Sequence, residues 1–355
     1  MATKFLQTIL KWRNRSSKKR NKNSGFTILE LLVATLIATF VIVALLDLVV
    51  DLLQTDRREY ARNETQREIQ MALDFMVNDI REAAYIYDNN GLSGGGPDRL
   101  PGIINHVDIP VGYTPILAFW KPETISDADM RDLRDCRQFG SPSANNPNRT
   151  ECDLLLIRRR AFSLVIYMQK VNDTTDARGG WKGVSRIARL HIPKYTLNGV
   201  RSLTRTNGYT DPQENTVKFA TWPFDGSGRN LQAGSRAQGT TQVLVDFVDY
   251  PTESRTSPLY SDNLRAPDNP QCPDNVNYSQ IPPSNSTFNR PSFMVCVSTN
   301  NTTGTGSDRS NANQDVLIFL RGNPTGKAGV KVAPLLAVRT QAVARGVVDK
   351  QQGAQ

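Results

Sequence analysis

One apolar run near the N-terminus, broken by a single acidic residue, constrains this 355-residue chain more than any other feature. The run covers 21 residues from Phe26 to Leu46, and Glu30 is the only charged residue in it. That length is enough for a helix to cross the hydrocarbon core of a bilayer. Because a carboxylate within an apolar helix costs free energy, Glu30 is predicted to have a function.

A strongly basic segment comes directly before the run. Residues 1–25 hold eight Lys and Arg residues and no Asp or Glu. The whole chain has a formal charge of +9, but without this segment 35 basic residues remain against 34 acidic ones. The excess of positive charge therefore predicts the membrane topology, with the N-terminus in the cytoplasm. With the remaining charge almost balanced, no nucleic-acid partner is predicted. The first charges beyond the run are Asp47, Asp51 and Asp56, which suits the opposite side of the membrane.

The junction between the two segments resembles the processing signal of type IV prepilins and pseudopilins. It has a basic leader, then Gly25, then Phe26, with Glu30 as the fifth residue counted from Phe26. The resemblance implies that a prepilin peptidase cuts between Gly25 and Phe26 and methylates the new amine of Phe26. It also implies that Glu30 pairs with the N-terminal amine of a neighbouring subunit during assembly.

Two ordinary interpretations of the same run compete with this one. A secretory signal peptide would need a small-residue cleavage site after the run, and the residues Asp47-Leu48-Val49-Val50-Asp51 offer none. A plain membrane anchor explains the apolar length and the charge asymmetry. It leaves Glu30 and the Gly25-Phe26 junction without a role.

The run is the beginning of a longer segment that favours helix. Neither Gly nor Pro occurs in residues 26–90, although the chain contains 24 Gly and 20 Pro. These are the strongest helix breakers. We therefore predict a transmembrane and assembly half of one helix over residues 26–53 and an amphipathic half over residues 54–90. Residues 91–355 are predicted to form an exported, β-rich domain.

Apolar residues recur every three or four positions in the second half of this helix. This spacing predicts a helix that packs on one face against a sheet. The stripe consists of Ile69, Ala72, Leu73, Met76, Val77, Ile80, Ala83 and Ala84. Asp79 is predicted to lie on the opposite, polar face together with Asp74 and Asn78.

The remainder of the chain is predicted to form strands and long polar loops. Segments rich in β-branched and aromatic residues, bounded by Gly, Pro or Asn, are the candidate strands. They are residues 103–109, 116–120, 154–158, 161–170, 185–191, 216–221, 242–250, 293–298, 314–320 and 330–343. The expected fold is α+β and resembles that of pilins, with a long N-terminal helix packed on a mostly antiparallel sheet with long loops.

Four cysteines suit a domain exported to an oxidising compartment. Their spacing lacks the Cys-x-x-Cys pattern of zinc and redox sites, and four cysteines allow three pairings. We favour Cys136–Cys152 and Cys272–Cys296, because each would join a polar loop to an adjacent strand-like run. Free buried thiols are the alternative.

No motif for catalysis, a metal or another cofactor stands out in the sequence, so the protein is not predicted to be an enzyme. His106 and His191 lie on separate strand-like segments, and no motif links Cys136 to either as a nucleophile. The acidic residues Asp262, Asp268 and Asp274 lack the spacing of a calcium loop. Stacking on sugar rings is conceivable for Tyr250, Tyr260 and Tyr278, although roles in the core or in anchoring loops are favoured.

Segments later in the chain resemble particular subunits of these systems. Residues 70–84 look like the end of the long helix in larger minor subunits of these systems. Four further segments are similar to the pseudopilin of cyanobacterial hormogonium polysaccharide secretion: Ser257 to Asn263, Cys272-Pro273, Phe293 to Val297 and Gln314 to Gly322. The chain departs from many pilins in having no Gly or Pro within the membrane helix, where Asp47 and Asp51 stand instead.

These features together predict a single-pass protein of the cytoplasmic membrane with a periplasmic C-terminal domain. The resemblance implies a minor pilin or pseudopilin that serves polysaccharide secretion and gliding motility. Its partners would be the prepilin peptidase, other pilins through the N-terminal helix, and the inner-membrane assembly platform. The alternatives are a minor pilin that primes a retractile type IV pilus and, in a different class, a membrane-anchored periplasmic enzyme or sugar-binding module.

Overall fold

The computed structural model describes most of the chain between Thr27 and Ala344. The described residues are 27–95, 100–133, 136–141, 146–197, 199–214, 217–232, 234–250, 271–273, 277–283, 291–299, 314–330 and 335–344. The helices are α1 (Ile28–Arg81), α2 (Asn89–Ser93), α3 (Asp127–Asp132), α4 (Pro147–Arg158) and α5 (Thr174–Arg178). The strands are β1 (Tyr85–Ile86), β2 (Tyr113–Thr124), β3 (Arg160–Val171), β4 (Ser185–Ile192), β5 (Thr240–Val248), β6 (Tyr278–Ile281), β7 (Phe293–Ser298), β8 (Asp315–Gly322) and β9 (Leu336–Val343).

The long helix predicted from the absence of Gly and Pro is confirmed, because α1 is continuous over 54 residues. It ends at Arg81, however, and the predicted boundary of residues 54–90 is too long. Beyond Arg81 the backbone joins the sheet: the N–H of Ala84 donates to Trp120 O at 2.7 Å, and that of Tyr87 donates to Ala118 O at 2.9 Å. Pairing with β2 thus ends the helix where no helix-breaking residue is present.

The chain divides into two compact units after Thr55. In the second unit, the predicted apolar stripe of α1 is buried against the sheet, as Ile69, Leu73, Met76 and Ile80 show. The prediction that Asp79 lies on the polar face of the helix is wrong, because its side chain is buried among the strands.

Every pairing between named strands is antiparallel, as predicted. The strand order is β1-β2-β3-β4-β5-β8-β7-β6, and β9 also pairs with β8. A single residue pair, Val248 with Gly322, joins β5 to β8. The sheet therefore curls at this point, and its two parts share one hydrophobic core with α1.

Several predicted strands are wrong in the structure. Residues 154–158 are the end of α4, residues 103–109 contain a 3₁₀ turn at Ile103–Asn105, and Phe219–Thr221 forms another. The strands β1 and β6 were not predicted, and β9 begins at Leu336, later than predicted. In α4, the Asn146 side chain caps the helix by accepting from the N–H of Arg149 at 3.2 Å, which outweighs the β-propensity of the run that follows.

A side-chain amide supports the short strand β1. Gln314 accepts from the N–H of Ile86 at 2.7 Å and donates to its carbonyl oxygen at 2.9 Å. One residue thereby satisfies both backbone groups of Ile86 across 228 positions of sequence. This contact holds the chain that follows α1 beside the beginning of β8.

Glycine at the curl of the sheet allows α1 to approach closely. A Cβ atom on Gly322 would lie 2.0 Å from Cδ1 of Ile69 and 3.2 Å from Cγ2 of Thr65. Ile69 is itself fully buried, so its side chain has little room to move. The helix α1 therefore packs on strand β8 at a residue, Gly322, that has no side chain.

Gly322→Ala is expected to lower the free energy of unfolding by about 1–3 kcal/mol, because the new methyl group overlaps Ile69. Ile69→Val, which removes the overlapping Cδ1 atom, is the matched control. Alone it should cost about 0.5–1.5 kcal/mol. On the Gly322→Ala background it should be neutral or stabilising, as measured by denaturant unfolding in detergent micelles. Simple additivity of the two costs would contradict this account of the contact.

Candidate assembly site

The first turn of α1 contains a cap that the sequence analysis missed. Thr27 directly precedes the helix, and its Oγ1 accepts from the backbone N–H of Glu30 at 3.2 Å. The residues Thr27-Ile28-Leu29-Glu30 have the Ser/Thr-x-x-Glu spacing of a capping box, which the sequence alone could have revealed. The cap fixes the start of the helix beside the predicted cleavage junction. Gly25 and Phe26 themselves lie outside the described residues.

Glu30 carries a negative charge in the first turn of α1. The N-terminus of a helix has a partial positive charge, which favours a carboxylate there. Across the part of the chain that the structure describes, no side chain donates a hydrogen bond to the Glu30 carboxylate.

The helix after Glu30 exposes its apolar side chains on all sides. Phe40 is 75% exposed and Leu52 is 68% exposed, and the residues between them follow the same pattern. Among the described residues, α1 is the one helix long and apolar enough to cross a membrane. A water-soluble protein buries most such side chains, so this surface needs lipid or another helix to cover it.

Three strands hold the second half of α1 by its buried acidic residue. Asp79 Oδ1 accepts from Lys121 Nζ of β2 at 2.8 Å. Its Oδ2 accepts from Arg189 Nε of β4 at 2.7 Å and from the Tyr167 hydroxyl of β3 at 2.8 Å. Lys121 also contacts Glu82 at 3.0 Å. We call Asp79, Lys121, Tyr167 and Arg189 the helix anchor.

The electrostatics of the helix anchor follow from these contacts. Burial raises the pKa of Asp79, but the bonds from Lys121 and Arg189 outweigh it, so the pKa lies below its ordinary value of 3.8. Burial lowers the pKa of Lys121, and its bonds to Asp79 and Glu82 reverse the direction and raise it. The charged forms of both side chains are thus favoured in the folded chain.

The structure joins the four cysteines in two disulfides. Cys136 bonds to Cys152, and Cys272 bonds to Cys296. These are the pairs that the sequence analysis favoured, although Cys152 lies in α4 rather than beside a strand. The first disulfide belongs to a small cluster with Leu133 and Leu155, separate from the main core.

One group of side chains has the residue types of a hydrolase but not the arrangement. Both Ser163 Oγ and His191 Nε2 contact the same atom, Oε2 of Glu123, at 2.5 Å and 2.9 Å. In a catalytic triad the histidine lies between the serine and the acid. Here the acid lies between the other two, so His191 is not placed to take a proton from Ser163.

The other residues considered for binding are distributed as follows. His106 is largely buried beside Phe224, with Nδ1 3.2 Å from Oε1 of Gln232. Tyr278 donates its hydroxyl hydrogen to Asp315 at 2.8 Å and so anchors β6 to β8. Tyr250 follows β5 and is half-buried. Tyr260 and the acidic residues at 262, 268 and 274 lie outside the described residues.

A metal site would need several His, Cys, Asp or Glu side chains close together. Groups of three or more His, Cys, Asp or Glu side chains able to hold an ion are absent from the described ranges.

A match to a known protein family covers the N-terminal part of the chain. Residues 20–46 match the family model described as the prokaryotic N-terminal methylation motif. The chain carries a prepilin-type N-terminus. The motif supports a pilin or pseudopilin subunit of type IV machinery, processed by prepilin peptidase and anchored in the inner membrane by α1. Comparisons with curated proteins and with solved structures returned no match.

The pilin-like architecture agrees with this motif. The long helix α1 is followed by an antiparallel, curled sheet. Pilins are in general structural rather than enzymatic proteins.

Proposed function

We propose that this protein is a minor subunit of a type IV pilus-like or pseudopilus machine that serves polysaccharide secretion and, through it, gliding motility. The observation that carries the assembly role is Glu30. Its carboxylate has no side-chain partner among the described residues and stands at the head of an exposed apolar helix, within the prepilin-type motif. Processing at Gly25 would place a positive amine four residues before Glu30 on every copy. A carboxylate of one copy can then neutralise the amine of the next.

The export of polysaccharide is supported by the sequence of the C-terminal domain. Two of the segments that resemble the secretion pseudopilin, Phe293 to Val297 and Gln314 to Gly322, form β7 and β8. Gln314 and Gly322 make specific contacts with β1 and α1. The resemblance to the secretion pseudopilin therefore includes strands that hold the sheet to β1 and α1, and it is the ground on which we propose polysaccharide as the exported product.

Two other functions would give different results. A minor pilin that primes a retractile pilus would be needed for retraction-dependent movement rather than for polysaccharide on the cell surface. A membrane-anchored enzyme or sugar-binding module would need α1 only as an anchor. The exported product distinguishes the proposed function from the first alternative. The requirement for Glu30 distinguishes it from the second.

The mature protein is expected to begin at Phe26 and to carry a methylated N-terminal amine. Mass spectrometry of the protein from membranes would check both features. Gly25→Leu should block cleavage, because a bulky side chain at the junction would not fit a peptidase that accepts Gly. Ser24→Leu is the neighbouring control and should still be processed. Intact residues 1–25 on most mature molecules would contradict the proposal.

A further inference from the structure

One tryptophan lies at the surface, unlike the others that the structure describes. Trp120 and Trp222 are buried in the core, and their indole N–H groups donate to oxygen atoms at 2.9 and 2.7 Å. Trp181, in the loop between α5 and β4, is partly exposed and belongs to none of the hydrophobic clusters. Within the described ranges its indole N–H has no hydrogen-bond partner. Tryptophan is enriched at binding surfaces, where part of the ring is covered and its N–H finds a partner.

The ring of Trp181 packs on a charged side chain instead of the core. The Cζ atom of Arg186 lies 5.7 Å from the centre of this ring and 5.5 Å from the centre of the Tyr113 ring. Cations are attracted to aromatic faces at such distances. Arg186 is buried, and it donates from Nε to the Tyr113 hydroxyl at 3.0 Å and from Nη2 to Asp176 at 2.8 Å. The two rings thus share one buried cation, which fixes their positions.

Hydrogen bonds also hold the loop that carries the tryptophan. The backbone N–H of Trp181 donates to Asp176 O at 3.1 Å. The carboxylate of Asp246 in β5 accepts from the N–H of Lys182 at 2.9 Å and from that of Gly183 at 3.1 Å. A surface that is ordered in advance loses little conformational entropy when a ligand binds.

Apolar and polar groups lie side by side around the two rings. Tyr113 pairs with Lys170 where β2 begins and β3 ends. Just beyond this pair, Val111 is 94% exposed and Val171 is 40% exposed. Lys182, which directly follows the tryptophan, is exposed and forms no ion pair within the described part of the chain. A largely apolar surface with a few polar groups is typical of a ligand site.

We propose that this surface binds the exported polysaccharide by stacking a sugar ring on Trp181. One face of a pyranose ring presents C–H groups that pack on an aromatic face, and its hydroxyl groups lie at the edge. The indole N–H can donate to a hydroxyl, and Lys182 can donate to a hydroxyl or to the carboxylate of a sugar acid. The inference rests on the proposed function, which makes a polysaccharide the exported product.

The chemistry of this surface favours a sugar over another protein subunit. The surface offers one partly exposed indole and two valine side chains, beside a buried cation and an exposed lysine. A stable protein interface buries about 800 Å² on each partner and has an apolar centre. One sugar ring needs only the area of one indole. A polymer with many such rings can be held through repeated weak contacts.

Binding of polysaccharide to the mature protein in detergent micelles tests the inference. The probe is the polysaccharide that the source cells shed into their medium. Trp181→Ala should lower the affinity by about tenfold or more, and Trp181→Phe, which retains an aromatic face, by no more than about threefold. Leu197→Ala is the matched control, because it removes a side chain that is 94% exposed at another place, and it should bind like the wild type.

Tryptophan fluorescence locates the contact without the alanine variant. Trp12 lies in the leader that processing removes, and Trp120 and Trp222 are buried. A sugar that stacks on Trp181 should therefore change the emission of that residue alone. In Trp181→Phe the polysaccharide should still bind, but the change in emission should disappear. A change that persists in this variant would place the sugar elsewhere and overturn the inference.

Secretion by cells separates this inference from the proposed function. Trp181→Ala should lower secreted polysaccharide by about threefold or more and leave incorporation into the filament unchanged. Wild-type protein that binds no polysaccharide, or Trp181→Ala that binds equally well, would overturn the inference. Capture of another pilin through Trp181, without polysaccharide, would also overturn it.

The proposed function has its own test at Glu30. Dependence of assembly on Glu30 would stand in each case that overturns the sugar site. Conversely, Glu30→Ala that assembles and secretes normally would reject the proposed function, while binding of polysaccharide at Trp181 would stand and favour an anchored sugar-binding module.

Discussion

Glu30→Ala is expected to lower incorporation into the filament by tenfold or more, and with it polysaccharide secretion. A buried amine without its carboxylate costs several kcal/mol, whereas the pair recovers much of that cost. Membrane insertion should persist, because the substitution makes the span more apolar. Crosslinking to partner pilins and a measurement of surface polysaccharide, wild type against variant, would check the result.

The cap on the same turn provides the matched control. Thr27→Ala removes the bond to the N–H of Glu30 and should weaken the first turn by about 1 kcal/mol, but it retains the carboxylate. It should therefore assemble far better than Glu30→Ala. Equal defects in the two variants would mean that the shape of the helix start matters rather than the charge. Unchanged crosslinks and secretion in Glu30→Ala would favour the plain membrane anchor.

Asp79→Asn is expected to lower the free energy of unfolding of the unit that begins at Asp56 by about 3–5 kcal/mol. The substitution leaves the mostly buried side chains of Lys121 and Arg189 with one fewer negative charge between three strands and α1. Denaturant unfolding of the full-length protein in detergent micelles would measure the loss. Asp74→Asn is the matched control, because Asp74 is exposed on the same helix, and it should change stability by less than about 0.5 kcal/mol.

The pKa of Asp79 adds a pH signature to this prediction. Since the folded pKa lies below 3.8, the carboxylate contributes its full stability above about pH 4 and loses it as the pH falls through the folded pKa. The difference between wild type and Asp79→Asn should therefore shrink in strong acid. A difference that stays constant down to pH 2 would show that packing, not charge, is what the residue contributes.

Local properties of the sequence were enough to predict the long helix and the membrane segment. Composition decides both: 21 residues with one charge span a bilayer, and the absence of Gly and Pro keeps a helix continuous. Periodicity likewise identified the buried stripe at Ile69 and Met76, because every third or fourth residue of a helix shares a face. The capping signal at Thr27 was also local and could have been recognised.

The end of α1 and the position of Asp79 depended on residues far away in sequence. The helix stops at Arg81 because the N–H groups of Ala84 and Tyr87 donate to Trp120 and Ala118 of β2, which lie 36 and 31 residues later. No local signal marks that point. An aspartate on a helix is usually exposed, so the burial of Asp79 could be known only from the positions of Lys121 and Arg189.

The sequence by itself therefore determined where the chain meets the membrane and how its N-terminal helix begins, since these depend on the order of neighbouring residues. The tertiary structure alone decided how that helix is held to the sheet. The buried carboxylate of Asp79 bonds to side chains of the sheet, and Gly322, which has no side chain, lets the helix approach β8 closely. Both contacts depend on strands that are far apart in the sequence.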